Sequence, residues 1–264
     1  MEEKNYDYKN IVISIIIYVF MFLLVGSSLI IIFVAMAYIS KHPDVSYIDL
    51  MKSLSGLVDP MTLEEHMQRA YSIVGSYGNM ITYAITTVAV VILMRKMLID
   101  DAIKVKNNIF KYIGIFFISL VVFYSITIVV DGFIGKLVGE SNNQNSIIAM
   151  ISGGGATPMF ISVVLCAPLV EELIYRKAIF KIFEKKHIII SYIVSSVFFV
   201  IPHMLSTDMS DITRWALLCI PYTISALLLA GIYHVSGKNI WASWFVHMMN
   251  NLLAYVGIIM LMQM

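Results

Sequence analysis

Long apolar segments set the strongest limit on what this chain can fold into. A helix of about 20 apolar residues crosses a lipid bilayer, and seven segments approach or exceed that length. Only 13% of the residues are charged, about half the share found in soluble domains, so a water-facing globule could not hide this much apolar surface. The sequence therefore predicts an all-α, polytopic transmembrane helical bundle of about seven spans. Their bounds are 11–39, 73–94, 109–130, 157–175, 188–206, 212–235 and 240–262.

Basic residues concentrate in alternate connections between these spans. Thirteen of the 18 lysines and arginines lie in the N-terminal residues, in 95–111, in 176–187 and at Lys238. Such connections stay cytoplasmic, so we predict a cytoplasmic N-terminus and an outside C-terminus. The apolar segment 11–39 is much longer than a signal-peptide core and is expected to be a retained span. These features predict a multi-pass protein of the cell membrane, most simply a bacterial plasma membrane.

The chain shows no internal repeat and no low-complexity linker. We therefore expect one integrated membrane domain, in which 1–150 carries spans and an outside loop without a motif, and 151–264 carries the chemistry. A net charge of +1 gives no indication of a nucleic-acid partner. The glycine run 153–155 lacks the lysine and hydroxyl residues of a phosphate-binding loop, so we interpret it as a flexible start of the fourth span.

Two adjacent carboxylates interrupt the fourth apolar segment. Each costs a few kcal/mol at membrane depth, so such groups are usually paired or functional. Glu172 and Arg176 are four residues apart and share a helix face in the favourable order for an ion pair. Glu171 is rotated by about 100° from Glu172 and is left for chemistry. The alternative is that both acids only mark the cytoplasmic end of the span.

His203 lies in the fifth span and follows Pro202. The fourth and fifth spans form a predicted hairpin centred on residue 187, sixteen positions from both Glu171 and His203. Antiparallel helices joined at that point bring the two side chains to a similar depth. A lone histidine on an apolar helix is, however, more often a core residue than a catalyst.

His247 and Asn251 are four residues apart in the last span and project from the same helix face. Both side chains can donate hydrogen bonds. His247 lies nine residues beyond Lys238, or about 13 Å along the helix, which matches a site in the inner half of the membrane. An interhelical hydrogen bond is the structural alternative for this pair.

Three motifs on separate spans resemble those of the CAAX-protease and bacteriocin-processing (CPBP, or Abi) family of intramembrane proteases. The resemblance covers roughly residues 155–255 and assigns structural support of the site to three of the motif residues, Glu172, Arg176 and Phe199. One departure is Lys177, where the family often has glycine; we expect this lysine to face the cytoplasmic headgroups. The motifs are Glu171-Glu172-x-x-x-Arg176, Phe199-x-x-x-His203 and His247-x-x-x-Asn251.

The resemblance implies a peptidase with four catalytic residues. Glu171 would be the general base, and His203 would position the same water. His247 and Asn251 would donate hydrogen bonds to the oxyanion. The same donors could hold a zinc ion, but asparagine is a poor zinc ligand and no His-Glu-x-x-His helix is present. We therefore predict no obligatory metal.

The expected partners are the lipid bilayer and a peptide or membrane-anchored protein substrate, which we expect to reach the site from the cytoplasmic half. The Ile-, Lys-, Asn- and Met-rich composition suggests an AT-rich bacterium, which favours maturation of a bacteriocin or signal peptide, or self-immunity. Two alternatives stay open at this point. The chain could be a non-catalytic scaffold of the same fold, or a small-solute transporter with charged groups at membrane depth.

Overall fold

The computed structural model describes residues 8–24, 26–56, 58, 62–184 and 187–263. Within these residues the chain is helical and contains no strand. A wide π-type turn, Phe20–Leu24, follows the first helix. The helices, numbered in chain order, are α1 (Tyr8–Val19), α2 (Gly26–Ile39), α3 (Tyr47–Leu54), α4 (Glu65–Asn107), α5 (Ile109–Val138), α6 (Asn142–Glu184), α7 (Ile188–Met204), α8 (Ile212–Val235) and α9 (Ile240–Leu261).

Each of the seven predicted apolar segments coincides with helical structure. Five helices, α4, α5, α6, α8 and α9, are long and apolar enough to cross a membrane, and α1 with α2 adds a sixth if the two form one bent span. The 17-residue α7 is at the short limit for a span. The all-α polytopic fold and the multi-pass membrane location are therefore confirmed, whereas the count of seven spans and their orientation stay predictions.

The helices extend beyond the apolar segments that predicted them. α4 begins at Glu65 and α6 at Asn142, eight and fifteen residues before the predicted spans. Hydropathy marks only the part of a helix at membrane depth, so it underestimates helices that continue into polar surroundings. α6 is broken inside by Gly154, which adopts a positive φ of 104°, a conformation that glycine tolerates at little cost.

The glycine run at this break packs tightly against α4. A Cβ atom placed on Gly153 would lie 2.0 Å from Ser72 Oγ, and one on Gly155 would lie 2.4 Å from Ser76 Oγ and 2.7 Å from a backbone oxygen. Ser72 Oγ also donates a hydrogen bond of 2.9 Å to the carbonyl of Ala149. The glycine run is therefore not at the start of the helix, as predicted, but inside α6, where the missing side chains allow close contact between two helices.

The main hydrophobic core draws on both parts of the chain. It contains Ile11 of α1, Val90 of α4 and Phe123 of α5 together with Val170 of α6 and Val246 of α9. Helix α6 also runs without interruption across position 150. The two parts of the chain therefore share one core, while the functional division at residue 150 stays a prediction.

A buried polar network ties α4, α6 and α9 together at the end of the bundle that carries the basic connections. Lys177 Nζ lies 2.5 Å from Asp101 Oδ2 and donates to the carbonyl of Lys238 at 2.8 Å. Asp101 also accepts the backbone N–H of Ile240 at 2.9 Å, which caps α9. Lys177 is buried, so the prediction that it faces lipid headgroups was wrong. The partner that holds it inside, Asp101, lies on a distant part of the sequence.

The glycine contact gives the first testable prediction. We expect Gly155→Ala to lower the free energy of unfolding by about 1–3 kcal/mol, because the added methyl group overpacks the α4–α6 contact. Gly257→Ala is the matched control, since a Cβ there meets no atom within 4 Å; we expect its stability to change by no more than about 1 kcal/mol, in the direction of a gain. Thermal and denaturant unfolding in detergent micelles measures both. Equal stability of the two variants would contradict the packing argument.

Candidate active site

One cavity of about 430 Å³ is lined by all four residues predicted to be catalytic. Glu171 comes from α6, His203 from α7, and His247 and Asn251 from α9. The helix spacing and the hairpin between α6 and α7 therefore bring together side chains that are up to 80 positions apart. Their convergence on one cavity is a structural fact, whereas their catalytic roles stay predictions.

The Glu171 carboxylate is buried and held from two sides. Its Oε1 atom accepts a hydrogen bond of 3.0 Å from the hydroxyl of Tyr83, on α4. Its Oε2 atom lies 3.8 Å from Nε2 of His247, beyond direct hydrogen-bond distance. Two helices other than its own thus define the orientation of this carboxylate toward the cavity.

Glu172 forms the ion pair with Arg176 that the spacing predicted. Its Oε2 atom accepts a hydrogen bond of 3.2 Å from Nε of Arg176, and its Oε1 atom lies 3.3 Å from Nδ1 of His247. Arg176 also donates to Ser195 Oγ at 2.7 Å. The side chains of Glu172 and Arg176 are both fully buried, so each charge is neutralised inside the protein by the other.

His203 is fixed by its own helix. Its Nδ1 atom lies 2.8 Å from the carbonyl oxygen of Phe199. Because a carbonyl can only accept, Nδ1 carries the proton of this bond, and the neutral ring keeps Nε2 as an acceptor. The Phe199 ring stacks on His203 at 4.8 Å, contacts His247 at 5.7 Å and lies 5.4 Å from the Arg176 guanidinium carbon. Phe199 therefore packs between the catalytic candidates and the ion pair.

Asn251 is held by the backbone of α6. Its Nδ2 atom donates to the carbonyl of Val163 at 2.8 Å, within the wide π-type turn Phe160–Cys166. An amide nitrogen carries two hydrogens, so a second N–H is left for another acceptor. Such π-type turns occur frequently at functional sites, and here the turn supplies the carbonyl that positions a predicted oxyanion donor.

Tyr83 is the residue of this site that the sequence analysis missed. It occupies one face of α4 with Asn79 and Thr87, at a spacing of four, which is a polar stripe on an otherwise apolar span. Thr87 Oγ1 donates to the carbonyl of Cys166 at 3.4 Å, one helical turn before Glu171. This polar stripe is the sequence feature from which Tyr83 could have been predicted as a residue of the site. Asp131 of α5 also lines the cavity.

The donor set does not converge as a metal site. Among the residues that the structure describes, no three His, Cys, Asp or Glu side chains are placed so that they could hold a metal ion. Asn251 already donates to a backbone carbonyl, and its amide oxygen is a weak ligand for zinc in any case. The absence of an obligatory metal stays a prediction, to be tested with a chelator.

The buried ion pair gives a prediction about stability. We expect Arg176→Met to lower the free energy of unfolding by about 3–5 kcal/mol, because it leaves the Glu172 charge buried without its cation. Lys238→Met removes the ion pair with Glu184, in which the lysine side chain is 46% exposed, and should cost about 0–1 kcal/mol. Denaturant unfolding in micelles compares the two variants. A loss for Arg176→Met no larger than that for Lys238→Met would contradict the structural role of the pair.

Comparison with known proteins agrees with the three motifs. Residues 153–253 match a family described as "Type II CAAX prenyl endopeptidase Rce1-like". An uncharacterized protein of Mycoplasma capricolum is 32% identical over 128 residues, which are 46% of this chain and 35% of that protein. YdiL of Bacillus subtilis, named as a candidate membrane peptidase, is 33% identical over 114 residues, which are 42% of this chain and 41% of that protein.

The matched regions thus span less than half the length of these curated relatives. No solved structure matches the chain. The family model and both alignments fall on a limited part of the sequence, and the family match covers the helices that carry all three motifs. Residues 153–253 are thus similar to the type II CAAX prenyl endopeptidase Rce1-like family of membrane proteins.

Proposed function

We propose that this protein is an intramembrane endopeptidase that hydrolyses peptide bonds of a membrane-associated peptide or protein. The observation that carries the proposal is a single cavity at membrane depth lined by a carboxylate, two imidazoles and an amide. Glu171 is available for chemistry there, because Arg176 is paired with Glu172 instead. The family match over 153–253 supports the same reaction class.

Water activation is the first step of the proposed reaction. Glu171 removes one proton from a water molecule in the cavity, and the unprotonated Nε2 of His203 accepts the hydrogen bond from the other. The resulting hydroxide oxygen forms a bond with the carbonyl carbon of the substrate, and the carbonyl π electrons move to its oxygen. The bond from Tyr83 to Oε1 holds the base in position for this attack.

Stabilisation of the oxyanion is the task of the two donors on α9. Asn251 offers the N–H that does not bond to Val163. The Nδ1 atom of His247 faces Glu172 at 3.3 Å, and in this scheme an N–H at Nε2 donates the second hydrogen bond to the oxyanion. A single oxyanion donor typically contributes about 10²–10³ in turnover.

Collapse of the intermediate completes the reaction. The protonated Glu171 carboxyl gives its proton to the amide nitrogen, the C–N bond breaks, and the electron pair leaves with the amine. The immediate products are a carboxylic acid and an amine, and Glu171 returns to its ionised form; the acid then passes its proton to the amine or to water and becomes a carboxylate. The scheme contains no step that passes through a metal ion.

The proposed substrates are small peptides or membrane-anchored segments in a bacterial plasma membrane. Two matched relatives are bacterial. The Ile-, Lys-, Asn- and Met-rich amino-acid composition is consistent with a bacterium whose genome is rich in A and T. Maturation of a bacteriocin or signal peptide, or self-immunity, fits that setting better than cleavage of prenylated tails.

Removal of the proposed base and its partner tests the function. We expect Glu171→Gln and His203→Ala each to abolish cleavage, because neither variant can activate water as the parent does. Glu65→Gln is the control, since Glu65 is exposed at the start of α4 and far from the cavity lining. Comparative peptidomics of membranes that carry each variant, with and without a chelator, measures cleavage and metal dependence together.

Several outcomes would overturn parts of the proposal. Cleavage at the parental level in both site variants would end the peptidase assignment. Solute flux in proteoliposomes without any peptide difference would favour a transporter, and the absence of both activities would favour a scaffold. Loss of cleavage that only zinc restores after chelation would replace the metal-independent scheme.

Tyr83 gives a finer test of the geometry. We expect Tyr83→Phe to lower kcat about tenfold with little change in KM, since it removes a hydrogen bond to a charged group worth about 1.5–3 kcal/mol. Tyr112→Phe is matched in chemistry, because it removes a buried hydroxyl that donates to the carbonyl of Ser236 at 3.2 Å and does not line the cavity. Steady-state kinetics with a cleaved peptide separates the two. An equal fall in kcat for both variants would show a general packing effect instead.

A further inference from the structure

The cavity is lined from one end of the bundle only. In α4 the lining residues are Asn79 and Tyr83, which lie in the first half of the helix. In α5 the lining begins at Phe123, at the middle of the helix, and continues toward its C-terminal end. Among the residues that the structure describes, none in 84–122, 172–184, 187–198 or 230–246 lines the cavity. Those stretches contain the basic connections and the helix ends next to them. At the opposite end, the lining continues through 139–141 into the first turns of α6.

At the end of the bundle that carries the basic connections, buried side chains close the cavity. Residues 171–180 are all buried, and they include the ion pair of Glu172 with Arg176. The residue after Arg176, Lys177, is paired with Asp101 and donates a hydrogen bond to the carbonyl of Lys238. A substrate that approached from this end would have to break both buried ion pairs, which is costly.

The charge pattern assigns the two ends to sides of the membrane. The closed end adjoins 95–111 and 176–187, each of which holds five lysines and arginines. The open end adjoins 131–156, in which Lys136 is the only basic residue. Because basic connections stay cytoplasmic, the closed end faces the cytoplasm and the open end faces the outside.

The dimensions of the cavity favour an extended peptide. On α9 the lining runs from His247 to Ile258, about 16 Å along a helix, which an extended chain covers with about five residues. Near the mouth, Ser141, Asn143 and Gln144 offer hydrogen-bonding groups that suit a peptide backbone.

We infer that the active-site cavity opens on the extracytoplasmic face and that its substrates are extended peptide segments presented from outside. The bond that is cut lies about five residues or more from the point at which the segment leaves water. This reverses the cytoplasmic approach expected from the sequence, because side chains at a common depth do not show which end of a bundle is open. The cleavage part rests on the proposed function, whereas the side of the opening does not.

Cysteine accessibility tests the side of the opening. Cys166 and Cys219 are first replaced by alanine, and single cysteines are then introduced by Gln144→Cys at the mouth and Asn107→Cys in the basic connection. A membrane-impermeant maleimide added to intact cells should label the Gln144→Cys variant, whereas the Asn107→Cys variant should react only after permeabilisation. The opposite pattern would overturn the inference, as would labelling of both variants from the same side.

Use of the mouth by substrate is tested on the same proteins. A bulky maleimide on the Gln144→Cys variant should lower cleavage at least tenfold. The same adduct on an Asp208→Cys variant should leave cleavage unchanged, since Asp208 is exposed at this end but does not line the cavity. Unchanged cleavage by the Gln144→Cys adduct would contradict this route. Retained cleavage in Glu171→Gln would instead reject the proposed function and leave the labelling result intact.

Discussion

The buried ion pair between Glu172 and Arg176 is the interaction on which the rest of the site depends. Two adjacent carboxylates at membrane depth cannot both be left without compensation. Arg176 lies four residues after Glu172 and neutralises that acid at 3.2 Å, while the helical rotation keeps Glu171 away from the same cation. One sequence motif thus places one acid in an ion pair with Arg176, and we propose that the adjacent acid carries the chemistry.

Side chains from the neighbouring helices then contact both acids and orient them in the site. His247 contacts both acids, through Nδ1 to Glu172 and through Nε2 toward Glu171, so its ring couples the structural pair to the cavity. Tyr83 and Asn251 complete the arrangement by bonding to Glu171 and to the backbone of α6. The buried groups close the end of the bundle that carries the basic connections, and the cavity extends the other way. The same charges that stabilise the fold therefore also determine the direction of access.

The features that follow from helical periodicity could be predicted from the sequence. The apolar segments, the pairing of Glu172 with Arg176 and the common face of His247 and Asn251 all depend on spacing within one helix. The role of Tyr83, the burial of Lys177 and the direction of the cavity depend on which helices become neighbours. The partners of Tyr83 and Lys177 lie 88 and 76 positions away, where local pattern carries no information about contact.

The division of labour between the two adjacent acids is the central claim, and one paired measurement tests it directly. Unfolding free energy and cleavage rate are determined in parallel for Glu171→Gln and Glu172→Gln. The account predicts that Glu171→Gln loses cleavage at nearly parental stability, whereas Glu172→Gln is destabilised by several kcal/mol because Arg176 becomes a buried unpaired charge. Parental stability in Glu172→Gln together with active Glu171→Gln would contradict it.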